Sequence, residues 1–484
     1  MDTRYAALRH LVVRAWPLRS KLTWLLVVSV AAVAVASLLR TPALSDAGYH
    51  TLIILLLAAG LWITEAVPAF AVGLLVIGLE LLFLSFRPYN PDPLDWEQFV
   101  NPWASPVIWL LLGGFFMATA AQRTSLDKRL SRVMVQLLGR KPGPFLLGIM
   151  LTTAVLSMFI SNTATAALML TIVTPFVTKL PAGEPFRRAL PLGIALGASF
   201  GGMGTVIGSP PNAIALGYLQ SAGADLTFLD WMLFGVPVSL ALVMLGWAIL
   251  YQSYARKLDQ LPLVEPSVDS VATDLSAVTS RRLSARVTRL THFTPQQWIV
   301  MSTFTVTVGL WLTSGWHGVS VAAVAFVPIV VFAVTGILQG EHVRLLPWDT
   351  LMLVAGGLAL GVGIRETGLA DFLVGRMALD PDGPRLLLLL ALGYLTVVLS
   401  NIMSNTAAAT ILMPLGGTLL PDAAVQVSLV IGLSASAAVL LPISTPPNAI
   451  AYATGWLRQK DFTLVGATVA LLGPPLFVWV TGLF

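Results

Sequence analysis

Two short polar clusters stand where polar groups are least expected. Ser161-Asn162-Thr163 lies in the middle of the apolar stretch 143–180, and Ser404-Asn405-Thr406 lies in the middle of 384–419. Hydroxyls and a carboxamide at a helix start, with free amides and the positive end of the helix dipole, form a neutral donor set that fits a carboxylate. A second pair of motifs, Pro210-Pro211-Asn212-Ala213-Ile214-Ala215 and Pro446-Pro447-Asn448-Ala449-Ile450-Ala451, is identical in both copies. Proline has no amide donor and clashes with the preceding turn, so each should interrupt its helix. Gly201, Gly202, Gly204 and Gly208 crowd ahead of the first interruption and Pro442 ahead of the second. Unwound backbone exposes carbonyls, which with serine and asparagine oxygens suit a hard cation such as Na⁺, as in broken-helix carriers. No Asp, Glu, Lys, Arg or His lies between 142 and 178, between 189 and 224, or between 386 and 421. An anion there depends on dipoles, hydroxyls and bound cations, which is a physical basis for coupling.

The surroundings of these motifs are a membrane. The 484 residues are 56% hydrophobic and 11% charged, with no cysteine. Soluble chains carry about 25% charged residues, so soluble enzyme classes and disorder drop out. Disulfides, iron–sulfur clusters and thiol catalysis drop out with cysteine. The five histidines (His10, His50, His292, His317, His342) fall in tails, loops or span ends, and no nucleophilic triad or carboxylate dyad is visible, so no enzyme is expected. No nucleic-acid partner is expected either.

A span needs roughly 20 apolar residues. Eleven are read, near 22–39, 48–66, 68–86, 105–122, 188–216, 227–252, 297–314, 316–337, 349–365, 424–455 and 462–482, with 143–180 and 384–419 as re-entrant hairpins. The fold class is thus an all-α polytopic membrane protein with two hairpins and two broken helices. Basic residues set the orientation. Arg4, Arg9, Arg14, Arg19 and Lys21, then Arg123, Lys128, Arg129, Arg132, Arg140 and Lys141, then Arg256, Lys257, Arg281, Arg282, Arg286 and Arg289 all fall on one side if the N-terminus is cytoplasmic and the C-terminus outside. The connection 253–296 reads as a solvated linker with room for one short basic helix near 281–290. The 14 tryptophans read mostly as interfacial anchors, Gly113-Gly114 and Gly356-Gly357 as close helix packing, and Glu65 and Glu80 as interfacial or helix-pairing acids.

The chain repeats itself. Gly60-Leu61-Trp62-Ile63-Thr64 recurs as Gly309-Leu310-Trp311-Leu312-Thr313, Gly113-Gly114 as Gly356-Gly357, and the Ser-Asn-Thr and Pro-Pro-Asn motifs recur in order, at offsets of 249, 243, 243 and 236. Five spans separate the copies of the first motif, an odd number, so the second copy runs the other way up. Inverted repeats with substrate at the midplane mark secondary carriers. An anion channel is the remote alternative.

Together the paired Ser-Asn-Thr tips, the segment Trp62-Ile63-Thr64-Glu65-Ala66-Val67-Pro68 and the Pro-Pro-Asn breaks resemble the divalent anion:sodium symporter family over about residues 48–482. The resemblance implies a homodimer in the lipid of the cytoplasmic (inner) membrane, each protomer carrying a mobile transport part on a fixed scaffold, an elevator. It divides the chain into a tail 1–21, scaffold 22–141, transport part 142–252, linker 253–296, scaffold 297–383 and transport part 384–484. It places one Na⁺ near Ser157, Ser161, Asn162 and the Gly208 carbonyl, and a second near Ser400, Asn405 and the carbonyls around Met403 and Ser444, with two or more ions in all. It places the anion against Asn162, Thr163, Ser209, Asn405, Thr406, Thr445 and Pro446. Sodium-coupled symport of a C4 dicarboxylate such as succinate, malate or fumarate is the expected activity. Alternatives within the family are a sodium-independent exchanger, or a carrier of citrate or sulfate.

Overall fold

The computed structural model describes residues 18–136, 138–139, 141–181, 183–224, 226–256, 258, 261, 293–376 and 385–482. The tail to residue 17, most of the 253–296 connection with its expected basic helix, and 377–384 lie outside the described residues. The first half comprises α1 (Leu18–Leu39), α2 (Asp46–Thr64), α3 (Ala69–Leu84), α4 (Pro106–Arg123), α5 (Leu126–Gln136), α6 (Pro142–Ser157), α7 (Asn162–Lys179), α8 (Phe186–Gly201), α9 (Pro210–Ser221) and α10 (Phe228–Leu250). The second comprises α11 (Pro295–Leu312), α12 (Val321–Val334), α13 (Trp348–Glu366), α14 (Leu369–Arg376), α15 (Arg385–Ile402), α16 (Asn405–Leu419), α17 (Ala424–Ser436), α18 (Pro446–Ala453) and α19 (Gln459–Thr481).

Among the described residues, seven helices are long and apolar enough to cross a membrane, or eight if the bent pair 405–436 is one span. The eleven spans read from sequence exceed this count for local reasons. Helices α3 and α12 are apolar but only 16 and 14 residues long. Helix α11 has 18 residues but opens on Pro295-Gln296-Gln297. The stretches 188–216 and 424–455 are each two half-helices, α8 and α9, α17 and α18. The chain bends by 118° between α16 and α17, where Leu420 leaves the helical conformation (φ −137°, ψ 70°) ahead of Pro421.

Close packing uses small residues, as expected where lipid gives helices no hydrophobic reason to associate. Helix α3 lies on α13 and α12 lies on α4. Gly73 of α3 faces the Gly356 backbone of α13, and Gly113 of α4 faces Ala325 of α12 so closely that a methyl would sit 2.9 Å from the Ala325 carbonyl. Helices α6 and α7 pack on α8, and α15 and α16 on α17. The half-helices cross over: α9 packs on α16 and α17, while α18 packs on α7 and α8. Each of these contacts thus has its counterpart in the other half. Two buried clusters result, one around α1–α3 with α13 and the start of α16, and a larger one through the remaining helices.

The tryptophans depart from the interfacial expectation. Trp62, Trp231 and Trp311 are among the largest fully buried side chains, and each indole donates to a carbonyl, of Ala69 (3.1 Å), Met203 (3.0 Å) and Val321 (3.0 Å). Trp316, Trp479, Trp96 and Trp298 are exposed, as anchors would be. Glu80 is not interfacial: it is fully buried in α3 against Gly363 of α13. Glu65 is exposed and ends α2 in the left-handed conformation, φ 50°.

Candidate ion and anion site

Both Ser-Asn-Thr clusters are hairpin tips. Helix α6 ends at Ser157, four residues turn the chain, and α7 starts at Asn162 with Ser161 as its extended N-cap. Helix α15 ends at Ile402 and α16 starts at Asn405, with Ser404 Oγ accepting from the Ala407 amide at 3.2 Å. The first amides of α7 and α16 have no partner within their helices and point at the tips.

Each tip bends back on the last turn of the neighbouring broken helix. Ser157 Oγ lies 2.7 Å from the Ala198 carbonyl and 2.6 Å from Asn162 Oδ1. Ser400 Oγ lies 2.8 Å from the Ala435 carbonyl and 2.8 Å from Asn405 Oδ1. A hydroxyl has one proton and cannot donate to both acceptors. Each cluster therefore holds one acceptor more than its hydroxyl can serve. At the first tip, Asn162 Oδ1 faces only acceptors. Turning that carboxamide over makes Nδ2 a donor to Gly208 O (3.0 Å), Ala198 O (3.3 Å) and Ser157 Oγ (2.6 Å). Turned that way the groups satisfy one another without an ion; with Oδ1 inward, a hydroxyl, a carboxamide oxygen and two backbone carbonyls converge instead. That is the all-oxygen, uncharged set a hard cation takes.

The breaks are shaped to allow this approach. The prolines do not disrupt α8 and α17; Pro210-Pro211 and Pro446-Pro447 occupy the first turns of α9 and α18, where a missing amide costs nothing. Unwinding occurs ahead of them, over 202–209 and 437–445. A methyl on Gly208 would sit 2.6 Å from the Gly202 carbonyl, so the first break is closed to side chains there. The motif asparagines latch the unwound backbone. Asn212 Nδ2 donates to Gly202 O (2.9 Å) and Thr205 O (2.7 Å), and Asn448 Nδ2 donates to Val439 O (3.2 Å) and Leu441 O (3.0 Å). Thr205 Oγ1 donates to the Met158 carbonyl and accepts from the Gly208 amide at 3.1 Å, tying break to tip.

Of the residues expected to hold cations, Ser157, Asn162 and Gly208 come together, as do Ser400 and Asn405. The Ser444 hydroxyl, as distinct from its carbonyl, donates to Asn401 Oδ1 at 2.8 Å, an oxygen that also accepts from the Leu440 amide at 3.0 Å. Met403 is buried and Ser161 exposed. Of the residues expected to meet the anion, Pro446 is exposed, and Asn162, Thr163, Asn405 and Thr406 are half-buried on the first turns of α7 and α16. Ser209 and Thr445 are buried, and each faces a serine of the opposite half. Ser209 Oγ lies 3.1 Å from Ser436 Oγ, and Thr445 Oγ1 lies 3.4 Å from Ser199 Oγ. Sequence reasoning missed Ser199, Ser436, Asn401, Thr205 and the latching role of Asn212 and Asn448. Identity of the two Pro-Pro-Asn hexapeptides was the signal for the last two. A cavity of about 670 Å³ elsewhere, between the starts of α4 and α12, the end of α9 and α13, includes none of these residues.

An apolar helical bundle that breaks twice into uncharged oxygen clusters defines a membrane carrier rather than a catalyst. Residues 54–431 match the family described as citrate transporter, CitMHS. The sodium-dependent dicarboxylate transporter SdcS of Staphylococcus saprophyticus is 33% identical over 469 residues, covering 90% of this chain and 86% of that protein. SdcS of Staphylococcus aureus is 30% identical over 466 residues, covering 90% and 85%. The chain belongs to the divalent anion:sodium symporter family; it is a membrane transporter and not an enzyme. Among solved structures, the Alcanivorax borkumensis YdaH transporter, whose topology is described as unusual, shares the fold at a TM-score of 0.56 and 13% identity, over 86% of this chain and 98% of that one.

Proposed function

We propose that the protein is a sodium-coupled symporter of a C4 dicarboxylate, such as succinate, malate or fumarate, in the cytoplasmic membrane. The observation that carries this reading is the duplicated Ser157–Asn162 and Ser400–Asn405 bracket, each closed on a backbone carbonyl at the end of the neighbouring broken helix. Na⁺ is cargo in this scheme, and two or more ions are carried. Its charge beside each tip offsets that of an anion held by the α7 and α16 amides, the Asn162 and Asn405 carboxamides and the Thr163 and Thr406 hydroxyls. The names of the relatives support sodium coupling and a dicarboxylate. The reciprocal packing of α9 and α18 supports an inverted repeat, with the tips near mid-membrane, the N-terminus inside and the C-terminus outside. In this reading α6–α10 and α15–α19 form the transport part, α1–α5 and α11–α14 the scaffold, and two protomers associate as a homodimer whose transport parts move as elevators.

The family described as citrate transporter makes citrate the rival substrate. Competition of labelled succinate uptake in proteoliposomes by malate, fumarate, citrate and sulfate ranks them. Asn162→Ala and Asn405→Ala are each expected to abolish uptake without loss of membrane insertion. Strong competition by citrate with none by C4 acids would overturn the assigned substrate, and normal uptake by both variants would remove the site.

A further inference from the structure

Four buried hydroxyls join the two halves of the chain. Ser199 lies in the last turn of α8 and faces Thr445 of the second break, and Ser436 ends α17 and faces Ser209 of the first break. All four are 2–3% exposed. The pairs are counterparts, because Ser199 follows Ala198 and Ser436 follows Ala435, the two residues whose carbonyls face Ser157 and Ser400. Each ion bracket is thus one residue away, along one helix, from a hydroxyl that reaches into the opposite break.

We propose that Ser199 and Ser436 are positioning residues that orient the Thr445 and Ser209 hydroxyls toward the anion and link each ion bracket to the opposite half of the anion site. Thr445 Oγ1 already accepts from the Asn448 amide at 3.3 Å. If Ser199 donates into the same oxygen, both of its acceptor positions are filled and its own proton is free to point outward. Pro446, next in the chain, is exposed, so the direction outward from Thr445 leads to accessible space. In the first break Ser436 Oγ is the hydroxyl behind Ser209, whose side chain makes no cap bond to α9. Chains of hydrogen bonds polarise one another, so a donor behind Thr445 strengthens Thr445 as a donor to a carboxylate. A cation drawing on the Ala198 carbonyl holds the last turn of α8, and with it Ser199, in register with Thr445. The crossing of the pairs gives each ion a route to the half of the site it does not touch.

This inference deepens the sodium-coupled reading and is tested so that the two fail separately. Ser199→Ala, Ser436→Ala, Thr445→Val and Ser199→Ala/Thr445→Val are reconstituted in proteoliposomes. Half-saturating succinate, maximal rate and the Na⁺ Hill coefficient are measured, with thermal melts to confirm folding. Each serine variant is expected to raise half-saturating succinate about two- to twelvefold, the range for one hydrogen bond, at near-unchanged maximal rate. It should also lower the Hill coefficient toward one. Ser199→Thr, which keeps the hydroxyl, should restore both. Adding Ser199→Ala to Thr445→Val should cost nothing further, since the relay is already cut. Unchanged succinate affinity in both alanine variants, or full additivity in the Ser199/Thr445 cycle, would overturn the inference. Wild-type uptake indifferent to Na⁺ would overturn the sodium reading instead, while the succinate cycle would still score the bridges.

Discussion

Gly202→Ala is the sharpest probe of the first bracket. Gly202 lies in the unwound turn after α8, and a methyl built on it falls on the Asn162 carboxamide, inside contact distance of Oδ1, with Nδ2 at 2.7 Å and Cγ at 2.9 Å. Real side chains do not tolerate that approach, so Asn162 must leave Ser157, Ala198 and Gly208. Overpacking of this kind costs about 1–3 kcal/mol. If the whole cost falls on the ion-competent arrangement, half-saturating Na⁺ rises about five- to 150-fold at about 1.4 kcal/mol per decade. The assay is Na⁺-titrated succinate uptake in proteoliposomes beside a thermal melt in detergent. Gly361→Ala is the control, because its methyl would meet only Pro414 at 3.6 Å, an ordinary contact. Adding Asn162→Ala to Gly202→Ala removes the group that clashes, so the melt should recover while uptake stays lost. Wild-type Na⁺ dependence in Gly202→Ala would refute the placement of Asn162 in the bracket.

Two further outcomes follow from the same geometry. Asn212→Ala and Asn448→Ala each remove two hydrogen bonds that hold an unwound break, so each should lower stability by about 1–3 kcal/mol and depress uptake, read by melt and transport. Burial pushes the Asp127 carboxyl of α5 up, against the opposing pull of the Lys128 amide and charge. A raised folded value means its share of stability is full at low pH and is lost as pH rises through that value. The wild-type melting temperature should therefore carry a downward component with rising pH that Asp127→Asn lacks.

The tips and breaks were legible because each is a polar word in an apolar sentence, written twice. Local chemistry then fixed their form: an extended Ser161 or Ser404 before a new helix, and prolines in the first turns of α9 and α18. The hydroxyl bridges were not legible, because Ser199 and Thr445 are 246 residues apart and Ser209 and Ser436 are 227 apart. A lone buried serine carries no sign of its partner. The bond from the Ser444 hydroxyl to Asn401 was not legible either, because the two lie 43 residues apart. The first half has Met158 at the corresponding place and uses Thr205 there instead. The eleven spans outnumber the long apolar helices because 188–216 and 424–455, read as broken helices, each form two half-helices, and because hydropathy does not reveal that α3 and α12 are only 16 and 14 residues long. The burial of Trp62 and Trp311 was not legible because their indole partners, Ala69 and Val321, come into reach only once the following helix folds back.

The central claim is that the anion is held only with borrowed sodium charge. Purified protein in proteoliposomes, given labelled succinate outside and an inward Na⁺ gradient, should accumulate it above the external concentration. Replacing Na⁺ by choline should reduce uptake to the level of protein-free vesicles. Undiminished accumulation in choline would contradict the account.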